Sequence, residues 1–221
     1  MAERAERGVN RDHRLKRLIA VADGVFAIAL TLLATELRLP DRAGVNVDED
    51  ALRQLLVQMW PGLLSYITSF TMIAVIWQAH HRLFLQVARF DGVLLWLVFL
   101  QLGIIAFLPF PTAVVGSHIG NRFAQEFYCG SLLLVSMAWL ALRGYATARG
   151  RLVAPNLAQE QLRRHIRHSA LTPVVLIGLM FLIPLGIGKF VNTLFLVYLL
   201  ALYYVLMSIL DWRQKGMESP P

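Results

Sequence analysis

Charge is scarce in this chain. Only 16% of its 221 residues are charged, whereas 57% are hydrophobic, and the mean hydropathy is +0.57. Soluble domains run nearer half apolar and a quarter charged, so the composition favours an integral membrane protein. Cysteine is all but missing. Cys129 stands alone in an apolar run, which excludes an internal disulfide and a metal-binding cysteine cluster. No internal repeat is visible. No small-residue cleavage site follows the first apolar run, which therefore reads as a retained span and not a removed signal peptide. The formal charge of +7 does not imply a nucleic-acid partner. The basic residues lie between apolar runs, where membrane topology accounts for them.

A span needs about 20 predominantly apolar residues. Six stretches qualify: 18–39, 57–79, 92–115, 123–147, 170–187 and 190–210. The expectation is an all-α polytopic membrane protein: a cytoplasmic segment 1–16, a six-helix membrane domain 17–212, and a cytoplasmic tail 213–221. With the N-terminus inside, 16 of the 21 lysines and arginines fall on the cytoplasmic side. The remainder are Arg38, Arg42, Arg53, Arg122 and Lys189. That bias predicts cytoplasmic termini at both ends. Loops this short predict an antiparallel helical bundle. The first external loop, "DRAGVNVDED", is acidic. The longest loop, "ATARGRLVAPNLAQEQLRRHIRHS", is basic and partly amphipathic, as expected of a helix lying against anionic headgroups.

The first span, "RLIAVADGVFAIALTLLATELRLP" at 17–40, carries Asp23, and an ionised carboxylate in hydrocarbon costs at least a few kcal/mol. On a helical wheel Ile28, Leu32 and Thr35 share a stripe, with Gly24 below and Thr31 at its edge. Asp23 lies about 140° from Ile28 and is expected to point into the bundle. A stripe of small, hydroxyl and branched residues suits close packing or a wetted path better than lipid. The second span ends in "IWQAHHRLF", at the depth of Arg17 to Asp23. Trp77, His80 and His81 there offer N–H donors, so an Asp–His–Trp–Arg cluster would satisfy the carboxylate. The same histidines also fit a plain interfacial belt beside Trp77. Both readings stand on spacing alone.

Two motifs carry a resemblance. Arg17 and Asp23 followed by "GVFAIALTLL", and "WQAHHRLF" with Trp77, His80, His81 and Phe84, resemble the transmembrane protein 175 family of potassium channels in its bacterial, single-repeat branch. The family's Phe-Ser before the aspartate is Val21-Ala22 here. The resemblance implies a homotetramer in a bacterial plasma membrane, with four copies of the first span lining a central pore. It implies that Ile28 forms the narrowest ring, that Leu32 continues it one turn outward, and that Thr31 flanks it. Arg17, Asp23, Trp77 and His80, with His81 beside them, would form a polar network holding the span in place. Asp23 would then be a strut behind the pore wall and not an ion ligand.

The carbonyl-lined Thr-Val-Gly-Tyr-Gly loop of familiar potassium filters is missing. "TAVVGSH" at 112–118 echoes it only superficially. Selectivity is therefore expected from a dewetting gate at Ile28 and Leu32, which K+ passes more readily than Na+. Thr31 or Thr35 hydroxyls would offset part of the desolvation, and Glu36 would help concentrate cations at the outer mouth. No cofactor is expected. The main alternative is a proton-coupled transporter using Asp23 and His80 as a relay, although such folds usually show paired repeats and broken helices at the midplane. A membrane metalloenzyme is disfavoured, because adjacent histidines point about 100° apart on a helix.

Overall fold

The computed structural model describes residues 2–37, 48–89, 91–118, 120–148, 152, 174–178 and 202, with side chains from residue 13 onward. The described residues form six helices: α1 (Ala2–Thr35), α2 (Glu49–Gln58), α3 (Trp60–Phe84), α4 (Gly92–Phe107), α5 (Pro109–Ser117) and α6 (Arg122–Thr147). Four segments are long and apolar enough to cross a membrane: His13–Thr35, Trp60–Phe84, Gly92–Ser117 and Arg122–Thr147. They match the first four expected spans. The expected spans 170–187 and 190–210, the basic loop before them, Arg38, Arg42, Lys189 and the tail 213–221 lie outside the described residues, apart from 146–148, 152, 174–178 and 202.

Several boundaries differ from expectation, each for a local reason. Helix α1 begins at Ala2 and runs unbroken for 34 residues, about 50 Å at 1.5 Å per residue. It is therefore much longer than the roughly 30 Å hydrocarbon core. The last three acids of the expected external loop, Asp48 to Asp50, instead start α2. The Asp48 side chain accepts from Ala51 N at 2.8 Å, while Glu49 and Asp50 occupy the first turn, where carboxylates suit the helix dipole. The "WPG" interruption opens α3, with proline in its first turn, where a missing N–H costs nothing. Helix α3 then continues to Phe84, which makes the whole "HHRLF" segment helical.

The third span breaks at Leu108. Pro109 and Pro111 cannot donate to preceding carbonyls, and the break is patched by Leu108 N donating to Ile105 O at 3.1 Å. A buried hydroxyl chain supports the bend. Thr112 Oγ1 donates to Leu108 O at 2.8 Å, and Ser69 Oγ lies 2.8 Å from Thr112 Oγ1 and 2.8 Å from the Tyr128 hydroxyl. Each hydroxyl has one proton. With the Thr112 proton spent on Leu108, Ser69 donates to Thr112 and Tyr128 donates to Ser69. The chain ties α3, α5 and α6 together. Nearby, a Cβ on Gly116 would sit 3.3 Å from Gly62 Cα, so glycine at 116 lets α5 approach α3 closely.

Helix α1 packs on α3 and α4; α4 packs on α6, and α5 on both α3 and α6. The core between them is a single apolar cluster. Leu94, Val98, Leu102 and Ile105 of α4 meet Leu132, Val135 and Leu142 of α6 and Ala22, Phe26 and Leu33 of α1. Gln101 is fully buried in this region, and neither end of its amide finds a hydrogen-bond partner among the described residues.

Candidate conduction surface

Helix α1 has two unlike faces. Leu18, Ala22, Phe26, Ala29 and Leu33 are all buried, at i, i+4, i+8, i+11 and i+15, which is one stripe of a 3.6-residue helix. Val21, Gly24, Ala27, Ile28, Thr31, Leu32 and Thr35 are exposed along the other side. Ile28 is the extreme case at 60% exposure, and Leu32 follows at 42%. No segment of the described protomer covers this stripe, although it is mostly apolar.

The two threonines on it are already committed. Thr31 Oγ1 donates to Ile28 O at 2.8 Å, and Thr35 Oγ1 donates to Leu32 O at 2.7 Å. Such back-bonding uses the hydroxyl proton. What each threonine can still offer outward is oxygen lone pairs, which attract a cation and not an anion.

Asp23 sits at the border between the faces, half-buried. The column pointing directly into the bundle is taken by Leu18, Ala22 and Phe26, about 60° to 140° away around the wheel. Its partner comes from α3: Trp77 Nε1 donates to Asp23 Oδ1 at 2.8 Å. His80 is brought to the same seam but makes a different contact. It is only 2% exposed, with ring centroids 5.5 Å from Phe26 and 4.5 Å from Phe84. Its Nε2 has no hydrogen-bond partner among the described residues. His81 is exposed and stacks on Trp77 at 5.9 Å. Arg17 is exposed, and among the described residues no ion pair joins it to Asp23. Glu36 lies in the turn after α1, half-buried. The position where the family's serine would stand, Ala22, is fully buried and presents no polar atom that needs a partner.

The sequence offered Trp77, His80 and His81 as donors to Asp23, and of these the structure bonds Trp77 to it. Sequence reasoning did not find the aromatic cage of His80, nor Gln101, nor the Ser69–Thr112–Tyr128 chain. The last had a faint signal: Ser65, Thr68 and Ser69 put three hydroxyls on adjacent turns of an apolar helix. Among the described residues no group of His, Cys, Asp and Glu is arranged to hold a metal ion.

Comparison with known proteins fixes the family. The model of the endosomal/lysosomal potassium channel TMEM175 matches residues 17–109, the stretch holding α1 from Arg17 onward, the Asp23–Trp77 contact and the α4–α5 bend. A potassium channel of Chamaesiphon minutus is 32% identical over 199 residues, covering 87% of this chain and 94% of that protein. The chain belongs to the TMEM175 family. A potassium channel of Streptomyces collinus is 33% identical over 145 residues, 64% of this chain and 68% of that one. In three dimensions the chain is similar to the crystal structure of a lysosomal potassium-selective channel TMEM175 homolog from Chamaesiphon minutus. The TM-score is 0.76 at 29% identity, with 89% of this chain and 98% of that chain covered. These family members and structural neighbours are ion channels and not enzymes.

Proposed function

We propose that this protein is a potassium-permeable cation channel, assembled as a homotetramer with the open face of α1 turned toward a shared axis. The observation that carries the reading is the uncovered stripe itself. Ile28, at 60% exposure, is flanked by threonines whose oxygens alone remain available. Small and hydroxyl residues suit close approach between helices or a wetted wall better than contact with lipid tails. Four Ile28 side chains would make the narrowest ring, with Leu32 one turn outward, and such a ring gates by dewetting. K+ gives up water more readily than Na+ and crosses it at lower cost, which yields modest selectivity. Thr31 and Thr35 oxygens offset part of that cost, and Glu36 draws cations to the outer mouth. The Trp77–Asp23 bond braces the helix from behind, with His80 and His81 beside it on α3.

In this reading residues 1–16 and 213–221 are cytoplasmic, and 17–212 form the membrane domain of a multi-pass protein in a bacterial plasma membrane. The proton-relay alternative gains little support, since Asp23 is bonded to Trp77 while His80 is enclosed by phenylalanines. Recordings in a planar bilayer with K+ on one side and Na+ on the other test the proposal. The purified protein passes K+ in preference to Na+, and Ile28→Asn raises resting conductance and erodes that preference. Unchanged currents in Ile28→Asn would remove Ile28 from the pathway, and a current requiring a pH gradient would restore the transporter.

A further inference from the structure

The open stripe of α1 does not stop at the membrane-buried residues. Arg17 precedes Thr35 by 18 residues, five full turns, and precedes Ile28 by 11, so all three share one angular position within about 20°. Arg14 lies about 60° to one side of it. His13, Arg14, Lys16 and Arg17 are all exposed. Among the described side chains the nearest acidic one along the helix, Asp23, is about 120° away around it and is engaged by Trp77 instead. An unneutralised arginine on the face that carries cations works against their entry.

We propose that Arg17, aided by Arg14, forms a positively charged ring at the cytoplasmic mouth, which limits cation entry from that side and makes the channel rectify. The proposal rests on the reading of α1 as pore lining. The ring stands about 16 Å on the cytoplasmic side of the Ile28 ring, too far to touch an ion at the constriction. It acts on local ion concentration. Cations are depleted at the inner mouth and not at the outer one, so outward current falls below inward current at equal driving force. Because the effect is one of fixed charge, it is strong at low ionic strength and screened at high.

The test is current recorded from the full chain in excised patches of known sidedness, in symmetrical K+. At about 10 mM salt, Arg17→Gln raises the ratio of outward to inward current by roughly threefold or more, and at about 1 M the difference vanishes. An unchanged ratio at low salt would overturn the proposal. Ile28→Asn is recorded alongside. If it alters conductance while Arg17→Gln leaves the ratio fixed, the charged ring fails and the pore wall survives; if it alters nothing, both fail. Arg17→Cys, modified after folding, guards against a misfolded variant, since the native Cys129 is buried and does not compete. A trimethylammonium-bearing thiol reagent restores the original ratio, and a sulfonate-bearing one moves it beyond that of Arg17→Gln. Equal effects from the two reagents would contradict the proposal. So would rectification that disappears in bilayers without anionic lipid, because the arginines would then belong to headgroups.

Discussion

The two sides of α1 are both mostly apolar, yet they obey different rules. The packed side uses residues of alternating size, Leu18, Ala22, Phe26, Ala29 and Leu33, to fill the space against α3 and α4. The open side places glycine, alanine, threonine and branched aliphatics on a surface that the described protomer leaves exposed. Hydropathy cannot separate the two, because lipid tails are as apolar as leucine. Size and hydroxyl content can. A helix face reserved for something outside its own protomer is recognised by what it gives up in packing.

Breaking the packed side should cost the fold. Phe26→Ala removes a fully buried ring that also walls in His80, a change worth about 3 kcal/mol or more. Thermal unfolding in detergent should show a clear drop and poor recovery of assembled protein. Breaking the open side should cost function and spare the fold. Ile28→Asn should unfold near the temperature of the unaltered chain while its conductance rises. The border between the faces should behave as an intermediate. Trp77→Phe deletes the donor to Asp23, and because both residues are partly solvent-accessible in the protomer the loss is about 1 kcal/mol, read as a small fall in unfolding temperature. The smallest effect belongs to Thr31→Val, which keeps the shape and removes one oxygen. An exposed oxygen worth about 0.5 kcal/mol changes the K+ to Na+ permeability ratio by about twofold or less.

The four described spans were legible because a membrane helix must be long, apolar and internally hydrogen-bonded. Their ends were not. Helix α2 was hidden because Asp48 reads as one more loop acid until it is seen capping Ala51. The bend at Leu108 was hidden because prolines in a membrane helix are compatible with both a straight and a broken course. Around the site, the wheel grouped Ile28, Leu32 and Thr35 on one stripe but left close packing and a wetted path both open, and depth matching offered Trp77 together with His80 and His81. The behaviour of His80 did not follow. Whether its ring meets a carboxylate or two phenylalanines depends on the rotation of α3 against α1, which no local spacing encodes. The Ser69–Tyr128 contact joins residues 59 positions apart and is set by how α5 bends.

The central claim is that the open face of α1, centred on Ile28, is the wall of the conduction path. Ile28→Cys tests it most directly, because the native Cys129 is buried and silent to aqueous thiol reagents. The claim predicts that a small charged thiol reagent added during recording reaches position 28 and changes the K+ current abruptly, with no effect on the unaltered chain. A current through Ile28→Cys that ignores the reagent from both sides of the membrane would contradict it.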